Sequence, residues 1–132
     1  MYIQPASRLI LLSITLVTVY SSLLLSGLGA KCSVNDHNHA PTVKQTQVGL
    51  GNPPKFLVEI SNNCPMCPVI DIHLKCGSFP QALVSPRLLK VIGFDDCVVN
   101  GGLPLPSLQK FSFNYSHSKY LMRPSVWYFQ CE

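Results

Sequence analysis

Cysteine is the residue type with the greatest capacity for chemistry in this chain, and six are present: Cys32, Cys64, Cys67, Cys76, Cys97 and Cys131. Cys64 and Cys67 have the C-x-x-C spacing of a redox pair. A catalytic pair needs a thiolate stabilised at a helix N-terminus within a βαβ unit, and the sequence shows no such unit. A four-cysteine zinc site usually shows two close pairs, and only one is present. Both considerations favour a structural role for the cysteines.

Histidines and carboxylates are weaker candidates for chemistry. His37 and His39 could hold a metal ion through two imidazoles, but a flexible polar arm provides no preorganised geometry. Asp95 and Asp96 are adjacent, and neighbouring strand residues point to opposite faces, so they cannot both flank one glycosidic bond. Two further histidines belong to no recognisable nucleophile motif: His73 and His117. We therefore predict a protein without enzymatic activity, cofactor or metal.

Two features point to the surface instead. Asn114-Tyr115-Ser116 is a sequon for N-glycosylation, and the alternative is an unmodified surface asparagine. Trp127 and Phe129 share one face of a candidate strand near the C-terminus. They could line a sugar-binding surface, but packing in the core is favoured because large aromatic side chains dominate small cores.

The N-terminal residues 1–30 have the composition of a secretory signal peptide. Their only charged residue is Arg8, which is followed by an apolar run over residues 9–25 and by small residues up to Ala30. This order of a positive region, an apolar region and small residues predicts cleavage, after Gly29 or Ala30. The apolar run is long for a signal peptide, so an uncleaved membrane anchor is the alternative.

All six cysteines follow the predicted cut, and an even number in a short exported chain predicts three disulfides. Six cysteines allow fifteen pairings; we favour Cys97 with Cys131, and Cys32 with Cys64, Cys67 or Cys76. Ten Lys and Arg, less Arg8, leave nine against six Asp and Glu, a charge of about +3. These basic residues are dispersed, whereas a nucleic-acid interface would cluster them.

Short alternating segments separated by Pro, Gly and Asn predict an all-β fold, a small disulfide-bonded antiparallel β-sandwich. The predicted strands cover residues 43–48, 56–60, 69–76, 94–99, 110–116 and 125–131. In the third of these, Ile70, Ile72 and Leu74 are expected on the core face. One helical turn is predicted from Ser85 to Gly93, because Ser is a good N-cap and Pro86 suits the first helical position.

The predicted organisation is a signal peptide over residues 1–30, an arm and first strand over residues 31–55, and a cysteine-rich β domain over residues 56–132 that forms a single fold with residues 31–55. Asn100-Gly101 is the best hairpin signal in the chain, because both residue types tolerate positive φ. Leu103–Pro106 cannot be a central strand, since proline donates no hydrogen bond to a ladder.

Several uncommon strings occur in a fixed order along the mature chain. They are VEISNNC, a following Cys67, IHLKCG, SPRLL, DDCVVNGGLPL, SFNY and the last cysteine, at Val58–Cys64, Cys67, Ile72–Gly77, Ser85–Leu89, Asp95–Leu105, Ser112–Tyr115 and Cys131. The series resembles the Tapetum Determinant family of secreted plant cysteine-rich proteins and covers about three quarters of the mature chain.

The resemblance implies an apoplastic signalling ligand that binds the leucine-rich-repeat ectodomain of a receptor kinase and acts in anther cell fate. It carries over no residue-level receptor footprint. From charge and predicted exposure alone, the expected receptor contacts are Arg87, Lys90, Asp95, Asp96 and Lys119. The alternative from another class is a non-catalytic cell-wall polysaccharide-binding module with Trp127 in an aromatic platform. Neither nucleic acid nor, after signal cleavage, a membrane is an expected partner.

Overall fold

Seven β-strands form the framework of the fold. The structure is a computed structural model that describes residues 31–131. The predicted signal peptide, residues 1–30, lies outside the described residues. The strands are β1 (Thr42–Gly49), β2 (Lys55–Ser61), β3 (Val69–Lys75), β4 (Leu89–Gly93), β5 (Asp96–Val99), β6 (Lys110–Ser116) and β7 (Arg123–Phe129). Two short 3₁₀ turns cover Gln81–Leu83 and Asn100–Gly102. Among the described residues, no helix has the length and apolar character needed to cross a membrane.

The strands form two antiparallel sheets. One has the order β1-β2-β6 and the other the order β4-β5-β3-β7. A shared core lies between them, with Val58, Ile60 and Phe113 from the first sheet and Leu74 and Leu89 from the second. The predicted class, an all-β disulfide-bonded antiparallel fold, is confirmed.

The inner face of the three-stranded sheet follows the predicted alternation. Phe56, Val58 and Ile60 are buried on β2, and Phe113 and Tyr115 are buried on β6. These two strands pair in register without a bulge, so a period of two residues holds along their whole length. Burying one face of each strand keeps the polar residues of β6, including the sequon asparagine, on the outside.

The prediction for β3 is wrong in its first half. Ile70 is not on the core face; Val69 is fully buried there instead, followed by Ile72 and Leu74. The ladder with β7 is irregular between Ile70 and His73, and Asp71 has a left-handed φ of 50°. An extra residue at this irregularity reverses the inward alternation upstream of it, as at a β-bulge.

The predicted helical turn opens at Ser85 as expected but does not continue to Gly93. The amides of Leu88 and Leu89 both donate to the carbonyl oxygen of Ser85, which closes one turn, and the chain then enters strand β4. The Gln81 side chain runs along β4: its Oε1 accepts from the amide of Val91 at 2.8 Å, and its Nε2 donates to the carbonyl oxygen of Leu89 at 3.0 Å. These bonds and the pairing with β5 favour the strand over a continued helix.

The predicted hairpin at Asn100-Gly101 is absent from the described sheets, although the expected backbone is present. Asn100, Gly101 and Gly102 all have positive φ, and the amide of Leu103 donates to the carbonyl oxygen of Asn100. This turn carries the chain from one sheet to the other. The hairpin of this region joins β4 to β5 one segment earlier, at Phe94-Asp95, so the predicted strand over residues 94–99 begins only at Asp96.

Three disulfides link the described residues, as predicted: Cys32–Cys64, Cys67–Cys131 and Cys76–Cys97. The preferred pairing of Cys97 with Cys131 is wrong. Cys97 lies on β5 directly beside β3, where its cross-strand neighbour is Leu74, so the cysteine that follows β3 is within reach and the C-terminus is not. Cys32 takes Cys64, one of its three proposed partners.

Candidate functional site

The C-x-x-C loop is the first candidate site, and both of its cysteines form structural disulfides. Cys64 and Cys67 are both buried, and each is bridged to a distant cysteine, Cys64 to Cys32 and Cys67 to Cys131. The amide of Cys67 donates to Cys64 Sγ at 3.1 Å, which folds the loop tightly on itself. Of the described residues, Cys32, Cys64 and Cys67 form the one cluster of potential metal ligands, and their sulfurs are committed to disulfides.

Asn62 organises this loop, and the sequence reasoning missed it. Its side chain is buried; Nδ2 lies 3.0 Å from the carbonyl oxygens of both Cys67 and Leu105, and Oδ1 accepts from the amide of Cys64 at 2.9 Å. Buried amides persist only when their polar atoms are paired. The available signal was an asparagine in a loop, because an asparagine side chain often bonds the main chain two residues later, as in an Asx turn. Here that later residue is Cys64.

A histidine, a carboxylate and a serine meet on the outer face of the four-stranded sheet. His73 Nδ1 lies 2.8 Å from Asp96 Oδ1, a hydrogen bond that the sequence reasoning also missed. The hydroxyl of Ser125 donates to the main-chain carbonyl oxygen of His73, at 3.2 Å, rather than to its ring. The arrangement therefore lacks the nucleophile–base hydrogen bond that activates a serine.

The N-terminal arm is held by local hydrogen bonds. The His39 ring contacts the Asp36 carboxylate, and the other carboxylate oxygen accepts from the amide of Asn38 at 3.0 Å. The hydrogen bond from His39 is the main reason that the pKa of Asp36 lies below its ordinary value. His37 is exposed. One of the two proposed imidazole ligands is therefore already occupied by a carboxylate.

An open groove of about 730 Å³ lies at one end of the four-stranded sheet. It lies between the end of β3, the β4–β5 turn and the segment that enters β7. Its exposed lining combines cations with apolar side chains: Lys75, Phe94, Lys119, Leu121 and Arg123. Asp95 is its one carboxylate; Oδ1 accepts from the amide of Gly77 at 2.8 Å, while the Asp95 amide donates to the Gly77 carbonyl oxygen at 2.7 Å.

Trp127 and Phe129 pack against the core, and Tyr128 between them is exposed on the opposite face. This placement favours the core interpretation of the aromatic cluster over the sugar platform. A smaller groove of about 250 Å³ lies beside Trp127, lined also by Val34 and Val126. Ser125 and Tyr128 complete its lining, and the Ser125 hydroxyl already donates to the main-chain carbonyl oxygen of His73.

Comparisons with known proteins identify the family. The family described as Tapetum determinant 1, C-terminal, matches residues 30–132. An uncharacterized protein of Arabidopsis thaliana is 46% identical over 114 residues, which cover 84% of this chain and 90% of that protein. The chain belongs to the Tapetum determinant family. The family predicted from the motifs is thus confirmed.

Relatives with explicit family names match a shorter region. TPD1 protein homolog 1B of Oryza sativa subsp. japonica is 47% identical over 66 residues, or 49% of this chain and 39% of that protein. TPD1 protein homolog 1 of Arabidopsis thaliana is 43% identical over 67 residues, or 49% and 37%. The match therefore spans less than half of either homolog. No solved structure matches the chain.

The Tapetum determinant motifs quoted above mark structure in this chain. Asp95 fixes the β4–β5 turn to Gly77, and the Asn100-Gly101 string forms the left-handed turn that leaves the second sheet. The backbone also constrains this string, because Gly102 has a φ of 77°, which a residue with a side chain adopts only with strain. The strings that define the family therefore explain the fold and leave the binding surface open.

Two of the five predicted receptor contacts, Asp95 and Lys119, line the groove. Asp96 faces His73 outside this lining. Arg87 and Lys90 are exposed around the start of β4 and also lie outside the lining. The set of five remains a prediction. Asn114, the predicted glycosylation site, is exposed on β6.

Proposed function

We propose that this protein is a secreted signalling ligand that binds the leucine-rich-repeat ectodomain of a plant receptor kinase and acts in anther cell-fate specification. The observation that carries the proposal is membership of the Tapetum determinant family across residues 30–132. Export is supported by the signal-peptide composition of residues 1–30 and by three disulfides, which persist in oxidising compartments.

The described architecture suits a ligand. Three crosslinks hold a small sandwich rigid, so little conformational freedom is lost when it binds, and preorganisation of this kind raises affinity. Leucine-rich repeats stack into solenoids with extended concave surfaces that can receive a domain of this size. The polar groups examined above are used for structure: Asn62 for the loop, Asp95 for a turn and Ser125 for a main-chain bond.

Secretion and binding are tested together. The full-length chain is expressed in cultured plant cells, and the protein in the medium is analysed by N-terminal sequencing; we expect it to begin at Ala30 or Lys31. Its binding to a panel of anther-expressed receptor-kinase ectodomains is then measured by surface plasmon resonance. Retention inside the cell, or binding to cellulose or pectin without binding to any ectodomain, contradicts the proposal.

A further inference from the structure

Two cations oppose each other directly at the mouth of the groove. Lys75 on β3 and Arg123 on β7 are cross-strand partners in an antiparallel ladder, and both are exposed. Like charges at directly opposed positions destabilise a sheet. Lys119 adds a third cation to the same lining. None of the three makes an ion pair with a carboxylate of the described residues.

The one carboxylate in the lining, Asp95, offsets one of these three positive charges and leaves the lining with a net positive charge. Asp95 is partly buried and bound to the amide of Gly77, so it is directed into the turn. The groove is therefore a concentrated positive site on a domain whose basic residues are otherwise dispersed. A positive site of this kind attracts a negatively charged partner and accelerates encounter with it.

The same groove exposes two large apolar side chains. Phe94 is 83% exposed and Leu121 is 86% exposed. Phe94 comes from the β4–β5 turn and Leu121 from the segment before β7, so they arise on opposite sides of β3 in the sheet order. Apolar anchors surrounded by a charged rim are the usual anatomy of a protein–protein contact.

We propose that this groove is the surface that docks on the receptor, and that it receives a segment of the ectodomain in which carboxylates flank an apolar side chain. The inference rests on the function proposed above and deepens it. Lys75, Lys119 and Arg123 would pair with the carboxylates, while Phe94 and Leu121 would contact the apolar side chain. An acidic polysaccharide would satisfy the cations, but it has no apolar side chain to cover these two residues.

The first experiment tests the groove without a receptor. The secreted protein, labelled with ¹⁵N, is titrated with an acidic peptide in which a phenylalanine is flanked by glutamates, and with the same peptide carrying lysines instead. We expect amide shift changes at Gly77, Phe94 and residues 119–123 with the acidic peptide only. Absence of these changes, changes located elsewhere, or equal changes with the lysine peptide or with an oligogalacturonide would overturn the proposal.

The second experiment measures binding to the receptor ectodomain identified above. Lys75→Glu/Lys119→Glu/Arg123→Glu should weaken binding by about tenfold or more, mainly through association and more strongly at low salt. Phe94→Ser/Leu121→Ser should weaken it by about 30-fold, as loss of a central anchor does. The matched controls lie outside the groove lining and outside the predicted receptor contacts: Lys44→Glu/Lys55→Glu/Lys110→Glu for charge and Leu50→Ser/Leu108→Ser for apolar exposure. Both should bind as the wild type does.

The outcomes separate the two proposals. If the wild type binds the ectodomain and both groove variants bind equally well, the groove proposal fails and the receptor function stands. If the acidic peptide maps to the groove but no ectodomain binds, the receptor function fails and the groove remains an acidic-peptide site. The single variant Lys75→Glu separates loss of binding from loss of folding. It replaces a repulsive pair, so it should raise the melting temperature while it weakens binding.

Discussion

The side-chain amide of Asn62 lies 3.0 Å from the carbonyl oxygen of Cys67, so the first residue after β2 holds the second cysteine of the C-x-x-C loop. The Asn62 Oδ1 atom accepts from the amide of Cys64 in the same loop. Both bridged cysteines of this loop are therefore positioned by one buried side chain, and the N-terminal and C-terminal crosslinks depend on it.

Replacing Asn62 should destabilise the fold more than replacing an exposed asparagine does. Asn62→Ala leaves the Cys67 carbonyl and the Cys64 amide without these partners in a buried loop. Unpaired buried groups cost about 1–3 kcal/mol each, so we expect a loss of about 2–4 kcal/mol in urea unfolding. The control is Asn35→Ala at an exposed site, which should stay within about 0.5 kcal/mol of the wild type. Equal stabilities of the two variants would contradict this role.

The disulfide pattern can be read by peptide mapping, provided that Cys64 is separated from Cys67. Trypsin leaves both in the fragment 56–75, and cyanogen bromide then cuts after Met66 between them. We expect Cys32 to be bridged to fragment 56–66 and Cys131 to fragment 67–75, with Cys76 bridged to Cys97. A peptide joining Cys97 to Cys131 would show that this arrangement is wrong.

Reversing one charge of the opposed pair should stabilise the domain. Lys75→Glu converts a like-charge neighbour of Arg123 into an opposite-charge neighbour, and cross-strand pairs contribute about 0.2–1 kcal/mol. We expect a gain of that size in chemical denaturation at low salt, and a smaller gain at high salt because ions screen exposed charges. Lys55→Glu on β2 is the control, because Lys55 is exposed and its cross-strand partners, Gly49 and Ser116, carry no charge. A destabilised Lys75→Glu variant would argue against repulsion between these two cations.

Stability should fall at high pH partly through Tyr115. Burial is the main cause that raises the pKa of Tyr115 above its ordinary value of 10.0. Its stabilising contribution is therefore complete below the unfolded-state pKa and is lost as pH rises through the higher folded-state value. Tyr115→Phe should make the decline above pH 10 shallower, measured by urea unfolding at a series of pH values. Tyr128→Phe, at an exposed ring, should keep the wild-type slope.

The same variant should weaken the fold at neutral pH. The Tyr115 hydroxyl donates to Gln45 Oε1 at 2.6 Å and accepts from the amide of Tyr120 at 3.0 Å, and Gln45 Nε2 donates to the Tyr120 carbonyl oxygen. These bonds tie β1, β6 and the segment before β7 together. Their loss should cost about 1–2 kcal/mol. If Tyr115→Phe has the same free energy of unfolding as the wild type at neutral pH, the network makes no measurable contribution to stability.

Glycosylation at Asn114 is expected in a plant host, because the side chain is exposed on the outer face of β6. Mass spectrometry of the secreted protein should show a glycan that disappears in Ser116→Ala, which removes the sequon and keeps the asparagine. The unglycosylated variant should retain all three disulfides and its melting curve. An unmodified Asn114 in the secreted wild type would leave the residue as an ordinary surface asparagine.

Strands with regular alternation were predictable from the sequence, and irregular ones were not. β6 was predicted at its full extent, because Phe111, Phe113 and Tyr115 follow a period of two without interruption. In β3, the backbone irregularity at Asp71 shifts the pattern, and no residue type near it announces a bulge. The period itself cannot reveal where it breaks.

Features set by distant neighbours were the second class of failure. The Ser85-Pro86 string does start a turn, but the choice between helix and strand after it depends on Gln81 and on β5. The pairing of Cys97 depends on which strands are neighbours, which composition does not disclose. For the same reason, the groove was not predicted. Asp95 and Lys119 of its lining were expected receptor contacts from charge alone, and Lys75 and Arg123 are neighbours only through the β3–β7 ladder.

Gln81 has a consequence for the behaviour of the protein at high concentration. Strand β4 is an edge strand of its sheet, and the unpaired main-chain groups of an edge strand can pair with a strand from another molecule. The Gln81 side-chain amide already bonds the Leu89 carbonyl oxygen and the Val91 amide, and so takes the place of an adjacent strand. One uncharged side chain thereby occupies the groups at which a strand of a second molecule would add, and so protects the protein from polymerising through this strand.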